Sequence, residues 1–334
     1  MRAAIYRTTG PSSVLSVEDV AVPGPGPGEV RVRIACSGVN PTDWKTRSGL
    51  TGAAPEDFQV PHHDGSGFVD ALGEGVSGLV PGQRVWLYLA AMANRWGTAA
   101  EYCLVPAERA VPLPPGASLE LGASLGVPAV TAAHCLACQG GGKQALRGAT
   151  VLVAGGAGAV GHFAIELAKH AGARVVSTVS SDEKAALARA AGADLVVNYR
   201  DAGAIEAVKS FAPRVDRVVE VALGANLQLD LAVSGPGTVI VVYASEPSDP
   251  VVPTRQLMNA NATLHYVLLY GVPKGELEQA VAWAQEALSE RALTELPVHR
   301  FPLEQVAAAQ DSVQQGAVGK VLVLPSANSA PSTT

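Results

Sequence analysis

Aromatic residues are scarce in this chain of 334 residues, which has 5 Phe, 4 Trp and 7 Tyr although 48% of its residues are hydrophobic. The core must therefore be built mainly from Ala, Val and Leu side chains. The shortage of rings also disfavours binding of single-stranded RNA, because that binding relies on bases stacking on aromatic side chains.

Charged residues are sparse as well. They make up 16% of the chain, with 24 basic against 30 acidic residues and a net charge of -6. This composition lacks the basic surface of a nucleic-acid-binding protein and is too hydrophobic for a disordered chain. The 4 cysteines are too few for a disulfide framework, and no uninterrupted apolar run approaches the roughly 20 residues of a membrane span. We expect a cytoplasmic protein that contacts neither nucleic acid nor membrane.

Glycine and proline, in contrast, are frequent, with 35 and 23 residues. From residue 1 to about residue 121, short runs of strand-forming residues alternate with turn residues, of which the PGPGPG segment 23–28 is the densest. The runs that predict strands are 2–7, 14–22, 29–36, 60–69, 84–89 and 100–105. This part of the chain is therefore predicted to form a mostly β unit.

Beyond residue 121, apolar strands alternate with helical segments, which is typical of βαβ units and a parallel sheet. The predicted strands are 150–154, 174–179, 195–198, 215–221, 238–243 and 263–269. The fold class is therefore α/β, with a doubly wound six-stranded parallel sheet of the Rossmann type joined to a mostly β domain. An amphipathic helix over 274–291, a helix over 303–314 and a strand over 320–324 follow.

A GxGxxG pattern lies directly after the first of these strands and directly before a helix. In that context each glycine has a physical role, in the tight turn, in the approach of the backbone to a pyrophosphate, and in the packing of helix on strand. The helix N-terminus favours the anion. The predicted cofactor contacts in this turn are Gly156, Gly158, Ala159, Val160 and Gly161.

The type of cofactor depends on the end of the next strand, where NAD sites place an acidic residue that binds the ribose. Here that position holds Ser180 and Ser181, and Lys184 follows one helical turn later. Hydroxyls and a cation suit the 2′-phosphate of NADPH, so NADPH is favoured over NADH. In the alternative interpretation the two serines only cap the helix, and both roles are compatible.

Several short segments, in the same order, resemble the medium-chain dehydrogenase/reductase superfamily and within it the zinc-independent quinone oxidoreductase (zeta-crystallin-like) family. They are PGPGEV 25–30, GVNPTD 38–43, RSG 47–49, PGQRV 81–85, GVP 126–128 and VNYR 197–200. The resemblance implies a GroES-like domain over 1–122, completed by 270–334, and an NADPH-binding Rossmann domain over 123–269. It also implies a cleft where nicotinamide meets substrate, and a homodimer that often pairs through strand 263–269.

The resemblance also raises the question of zinc, because related alcohol dehydrogenases use it. Their first cysteine ligand falls at Asn40 and their later one near Gly126 to Pro128, so of that ligand set only His63 is kept here. A catalytic zinc takes three protein ligands, and we therefore expect no metal. His134 precedes a CxxC motif formed by Cys135 and Cys138. Redox or metal chemistry is one interpretation of this motif. The favoured interpretation is that the cysteines are small buried residues of a helix.

The family residues that contact substrate or nicotinamide map onto Asn40, Asp43 and Thr131. Each also has a structural interpretation, as a turn residue, a helix cap and a helix residue that bonds to its own backbone. Lys45 and Thr51 stand where relatives often carry tyrosines, and Lys45 has the chemistry to bind an enolate oxygen or an anionic substrate. Further cofactor contacts implied by the family are Tyr199, Tyr243, Ala244 and Ser245.

Together these features predict an enzyme, an NADPH:quinone reductase-like oxidoreductase that transfers a hydride to a quinone or another conjugated carbonyl without zinc. The alternative activity is reduction of a carbon-carbon double bond in a small-molecule enone, 2-alkenal or enoyl compound. The absence of tyrosines at positions 45 and 51 favours this alternative. A non-catalytic NADPH-binding or RNA-binding protein is a third interpretation, and the net charge of -6 disfavours its RNA-binding form.

Overall fold

A computed structural model describes residues 1–52, 54–246 and 248–325. The chain forms two compact units, one from residues 1–127 with the segment from Pro297 to the end of the described chain, the other from Pro128–Leu296. The strands are β1 (Arg2–Ile5), β2 (Ser16–Asp19), β3 (Glu29–Val39), β4 (Asp64–Leu72), β5 (Arg84–Leu87), β6 (Tyr102–Pro106), β7 (Ala110–Pro112), β8 (Thr150–Ala154), β9 (Arg174–Val179), β10 (Leu195–Asn198), β11 (Arg217–Glu220), β12 (Val239–Val242), β13 (Thr263–Tyr266), β14 (Val298–Pro302) and β15 (Lys320–Leu324). The α-helices are α1 (Pro41–Ser48), α2 (Leu119–Ala137), α3 (Ala159–His170), α4 (Asp182–Ala190), α5 (Ala204–Phe211), α6 (Leu223–Val233), α7 (Thr254–Ala260), α8 (Lys274–Ser289) and α9 (Val306–Gln314).

The first unit is built on a largely antiparallel sheet with the strand order β14-β15-β3-β4-β5-β7, in which β6 also pairs with β3. The C-terminal strand β15 runs antiparallel to β3, with Leu322 opposite Gly38. Apolar side chains of Ala, Val, Ile and Leu fill its interior, as the composition predicts. The predicted strand over 14–22 is shorter, because a turn of 3-10 helix over Ser12–Val14 precedes β2.

The second unit contains a six-stranded parallel sheet with the order β10-β9-β8-β11-β12-β13. All six strands were predicted, and the α/β fold class is confirmed. The order reverses between β8 and β11. In doubly wound sheets, ligands bind beyond the carboxyl ends of the strands at such a reversal.

Helix α8 lies in the second unit, whereas we expected residues 270–334 to complete the first domain. Its buried face includes Trp283 and Ala284. The Trp283 indole Nε1–H donates to Nδ1 of His170 on α3 at 3.4 Å, and Lys143 pairs with Glu286 at 2.7 Å. The unit boundary therefore falls between residues 296 and 297 rather than at 269.

Helix α2 runs over Leu119–Ala137 and contains His134 and Cys135. In the described part of the chain it is the one helix long and apolar enough to cross a membrane, and 83% of its apolar window is buried inside the structure. Burial of this extent is typical of a core helix.

Candidate functional site

The turn between β8 and α3 contains the three glycines of the predicted dinucleotide motif. Strand β8 ends at Ala154, and Gly155 takes a left-handed backbone conformation with φ of +69°. The N–H of Gly158 donates to the carbonyl of Gly155 at 2.9 Å, which closes the turn, and α3 begins at Ala159 with Gly158 as its N-cap. The strand-turn-helix context expected from the sequence is present.

The glycines of this turn differ in the space around them. A Cβ on Gly161 would lie 2.3 Å from the carbonyl oxygen of Gly155, and one on Gly156 would lie 2.0 Å from Oγ of Ser177. A Cβ on Gly158 would have 3.4 Å to the nearest atom, again the Gly155 carbonyl oxygen. Gly156 and Gly161 are therefore required by packing, whereas Gly158 keeps the backbone open towards a ligand.

The N-terminus of α3 supplies unpaired backbone donors beside this turn. The first intrahelical bond is donated by the N–H of His162 to Gly158 at 2.8 Å, so the N–H groups of Ala159, Val160 and Gly161 precede it. Together with the helix dipole, these donors favour an anionic group.

Three polar or basic residues meet at the carboxyl end of β9. Lys184 Nζ donates to Oγ of Ser180 at 3.2 Å, and the guanidinium of Arg200 donates to the Ser180 carbonyl at 3.4 Å. Ser181 caps α4 by accepting from the N–H of Lys184 at 3.4 Å. Ser180 is therefore near two cations. The sequence prediction omitted Arg200, although it directly follows Tyr199.

Tyr199 is 42% exposed, and the Arg200 guanidinium lies 5.7 Å from the centre of its ring. Tyr243, Ala244 and Ser245 follow β12 directly, at the same edge of the sheet as the ends of β8 and β9. The N–H of Tyr243 donates to the carbonyl of Glu220 at 3.1 Å. The predicted cofactor residues thus occupy one edge of the sheet.

Two buried acids, Glu220 at the end of β11 and Asp230 on α6, lie next to each other in this unit and are both fully buried. Glu220 Oε1 accepts from the Asn226 amide at 2.8 Å and from the N–H of Ala222. Burial, followed by the charge of Glu220, raises the pKa of Asp230 well above its ordinary value. This shift favours the protonated form of Asp230, whose two carboxyl oxygens have no hydrogen-bond partner among the described residues.

Asp230→Asn is expected to increase the stability of the protein at neutral pH. A carboxyl whose pKa is raised by folding favours the folded state below the ordinary pKa of about 4, and this contribution is lost as pH rises towards the folded pKa. Asparagine keeps the donor without the ionisation. Denaturant unfolding between acidic and neutral pH should show a shallower decline for the variant. Asp201→Asn, at an exposed position, is the matched control and should follow the wild type; parallel curves for Asp230→Asn and wild type would contradict the assignment.

In the first unit, Asn40, Asp64 and Lys320 form a buried hydrogen-bonded cluster. Lys320 Nζ donates to Oδ1 of Asn40 at 2.8 Å and to Oδ2 of Asp64 at 3.3 Å, and the Asn40 amide donates to the same Asp64 oxygen at 2.6 Å. The N–H of Val127 donates to the other Asp64 oxygen at 2.7 Å. Burial raises the pKa of Asp64 and lowers that of Lys320, and the charge of each opposes the shift in the other.

Asp43 caps the start of α1, as its structural interpretation predicts. Its Oδ2 accepts from the N–H of Asn40 at 2.7 Å at the start of α1. Burial, together with the charge of Asp64, raises the pKa of Asp43 to about 8. Its side chain is 3% exposed, like that of Asn40.

The remaining two predicted catalytic residues are outside this cluster. Lys45 is half-buried, and its Nζ lies 5.9 Å from the ring of Trp44. Thr131 is buried in α2, in the second unit. Within the first unit the structure therefore brings together Asn40 and Asp43. The sequence reading missed Asp64 and Lys320, and the only signal for Asp64 was that it follows His63.

His63 is buried, and burial lowers its pKa to about 4, so the imidazole is neutral. Around it, the Asn40 and Asp64 oxygens that a metal would need already accept hydrogen bonds, and Lys320 supplies the positive charge. Within residues 1–52, 54–246 and 248–325, the one group of at least three His, Cys, Asp or Glu side chains close enough to share an ion lies elsewhere, in the second unit. The residues here do not fit a catalytic zinc.

Comparison with known proteins agrees with this architecture. Residues 26–115 match the alcohol dehydrogenase GroES-like domain, and residues 159–286 match the zinc-binding dehydrogenase family. The quinone oxidoreductase of Sus scrofa is 30% identical over 328 residues, which cover 96% of both chains. A 2-haloacrylate reductase of Burkholderia sp is 29% identical over an alignment of 343 positions, gaps included, which covers 98% of this chain and 99% of the relative.

Solved structures are similar over the same length. A mycobacterial protein in complex with NADPH has a TM-score of 0.83 and 30% identity, and covers 97% of this chain and 100% of its own. An NAD-dependent alcohol dehydrogenase has a TM-score of 0.85 and 26% identity, with coverage of 97% and 99%.

The GroES-like unit and the dinucleotide turn at the sheet reversal define an oxidoreductase that uses a nicotinamide cofactor and acts on a small molecule. Within this class the full-length match is specific. The chain belongs to the quinone oxidoreductase (zeta-crystallin-like) family of the medium-chain dehydrogenase/reductase superfamily.

Proposed function

We propose that this chain is an NADPH-dependent reductase that transfers a hydride to a quinone or another conjugated carbonyl without zinc. The observation that carries the proposal is the end of β9, where Ser180 lies between the cations of Lys184 and Arg200. The mycobacterial relative in complex with NADPH agrees with this choice of cofactor.

Four groups of residues in the second unit would contact the dinucleotide. The N–H groups of residues 159–161 and the turn at Gly156 and Gly158 would hold the pyrophosphate, since these donors precede the first intrahelical bond. Ser180, Lys184 and Arg200 would hold the 2′-phosphate as hydroxyl and cationic partners. Tyr199 would contact the adenosine end, and residues 243–245 would contact the cofactor beyond β12.

Bound NADPH supplies a hydride, which carries two electrons to the acceptor, and a proton from water completes the hydroquinone or the saturated carbonyl compound. The protein contributes orientation and hydrogen bonds to the oxygen that gains charge. We assign Asn40 and Asp43 to a positioning role, because both are buried and engaged in the Lys320 cluster and the cap of α1. Lys45 is the proposed substrate contact of the first unit, and Thr131 is the proposed nicotinamide contact of the second.

The second candidate is reduction of the carbon-carbon double bond of an enone, 2-alkenal or enoyl compound. The 2-haloacrylate reductase relative favours it, and so does Lys45, a cation suited to an enolate or a carboxylate. We further propose a cytoplasmic homodimer formed through the edge strand β13, which pairs with β12 on one side only.

The substrate class is tested by following NADPH oxidation with protein dialysed against a chelator. A panel of 1,4-quinones, 2-alkenals and 2-haloacrylate separates the two candidates. We expect turnover with quinones after chelation. Turnover of alkenals or haloacrylate alone establishes the second candidate instead, and activity that returns only on addition of Zn²⁺ removes the zinc-free mechanism.

Lys184→Ala is expected to raise the KM for NADPH by roughly 10- to 150-fold, which corresponds to the loss of one charge-assisted contact of about 1.5–3 kcal/mol. Arg200→Ala should act in the same direction. The KM for NADH should change little, since NADH lacks the 2′-phosphate. Lys209→Ala on α5, which removes another surface lysine of the same unit, serves as the control. Equal changes in both Michaelis constants would remove the NADPH assignment.

A further inference from the structure

The two cysteines of the CxxC motif have different surroundings. Cys138 directly follows α2, and His134 is four residues earlier, so both side chains lie on the same face of the helix end. His265 on the edge strand β13 reaches the same place. One ligand atom from each of His134, Cys138 and His265 lies within 4.8 Å of the other two. Cys135 is not part of this group.

We propose that His134, Cys138 and His265 form a Zn²⁺-binding site in the second unit, independent of the hydride-transfer chemistry. Two imidazoles and a thiolate are ligands that zinc prefers, with bonds of about 2.0–2.3 Å. Donors bound to one tetrahedral ion lie about 3.3–3.6 Å apart, so small side-chain rotations bring the three atoms onto the ion. Three protein ligands leave a fourth position for water.

One carboxylate beside the group favours a cation at this place. Glu276 Oε2 lies 3.8 Å from Nδ1 of His134, where a carboxylate can orient a ligating imidazole through its second nitrogen. His134 and Cys138 are buried, whereas His265 is half-buried. His265 is therefore the most exposed of the three side chains.

Arg217 acts on the thiol. Its guanidinium lies 4.0 Å from Cys138 Sγ and donates to the carbonyls of Cys135 and Cys138, each at 2.7 Å. Burial raises the pKa of the Cys138 thiol, and the positive charge of Arg217 partly opposes this shift, which favours the thiolate that binds metals. The same charge also weakens the attraction for a cation. We therefore expect an exchangeable ion that links the end of α2 to β13 rather than one held permanently.

The test uses the full chain without an affinity tag, dialysed against a chelator and titrated with Co²⁺ as a probe for Zn²⁺. A near-ultraviolet thiolate-to-cobalt absorption band should develop with about one equivalent and disappear when Zn²⁺ is added. Cys138→Ser should abolish the band. His265→Gln should weaken Co²⁺ binding by more than about 100-fold, because second-shell changes alone cost up to that amount.

Cys135→Ser is the matched control, because Cys135 is a buried cysteine of the same motif outside the ligand group, and it should keep the band. The proposal is overturned if the wild type develops no thiolate band at about 100 µM Co²⁺. A Kd of that size corresponds to a binding free energy of about -5.5 kcal/mol. It is also overturned if Cys135→Ser loses the band or His265→Gln keeps full affinity. If Cys138→Ser fails to fold by circular dichroism, the half-buried His265→Gln variant decides the question. NADPH oxidation measured on the same variants reports separately on the proposed function.

Discussion

Lys320→Met is expected to lower the free energy of unfolding by about 3–5 kcal/mol. Lys320 is 2% exposed, and its ammonium neutralises a fully buried Asp64 while donating to Asn40. Methionine has a similar length but removes the charge, so Asp64 is left buried without a cation. The loss therefore reflects an uncompensated buried charge rather than the value of one hydrogen bond.

The pH dependence and a matched pair of variants identify this cause. Burial raises the pKa of Asp64, and its protonation removes the unpaired charge, so the deficit of Lys320→Met should shrink as the pH is lowered from neutral. Adding Asp64→Asn should recover much of the lost stability. Lys169→Ala, which breaks the partly exposed Lys169–Asp194 pair of 2.8 Å, should cost at most about 1 kcal/mol. Urea unfolding of the wild type, the two single variants and the double variant measures these free energies. Equal losses for Lys320→Met and Lys169→Ala would contradict the role assigned to Lys320.

Gly161→Ala is expected to lower stability by about 1–3 kcal/mol or more, because its Cβ would lie 2.3 Å from the carbonyl oxygen of Gly155. The turn must open to admit the methyl group, and this moves the N–H groups at the start of α3. Cofactor affinity should therefore fall together with stability. Thermal unfolding and titration of cofactor fluorescence measure the two quantities.

Gly158→Ala is the control within the same motif. Its Cβ would lie 3.4 Å from the nearest atom, and its φ of -77° is one that any residue adopts. The free energy of unfolding should therefore stay near that of the wild type. If Gly158 is the point where the pyrophosphate approaches, the same methyl group should weaken NADPH binding on its own. A stability loss as large as that of Gly161→Ala would show that the space measured around Gly158 is not available.

The sequence predicted the second unit well because parallel strands covered on both faces are continuous apolar runs, as in Thr150–Ala154. Helix α6 was missed because its residues are apolar nearly all round, which leaves no helical period to detect. Helix α1 was missed because it is short and mostly polar. The predicted domain boundary at residue 269 differs from the unit boundary after residue 296. The difference arises because α8 packs on α3, and such a tertiary contact has no local sequence signal.

The same distinction applies to the site. The dinucleotide turn was predictable because its chemistry resides in backbone N–H groups, and glycine spacing alone reports them. The Lys320 cluster was not predictable, since Lys320 is 280 positions from Asn40 and nothing local marks it as buried. Asn40 and Asp43 carried structural and catalytic interpretations in the sequence. Their contacts at the start of α1 fit the structural interpretation, and the catalytic one stays a prediction. Arg200 lacked a signal because its partner Ser180 lies 20 positions away, just beyond the end of β9.

The buried cluster also determines how hard it would be to engineer the metal chemistry of the zinc enzymes into this chain. A cysteine in place of Asn40 would remove the acceptor of Lys320, and a side chain at position 126 would place its Cβ 2.3 Å from Oδ1 of Asp64. The ammonium of Lys320 would then repel the incoming ion. Single substitutions would therefore destabilise the fold without creating a set of zinc ligands. The Lys320 cluster thus opposes a stepwise change from zinc-free to zinc-dependent activation of a carbonyl.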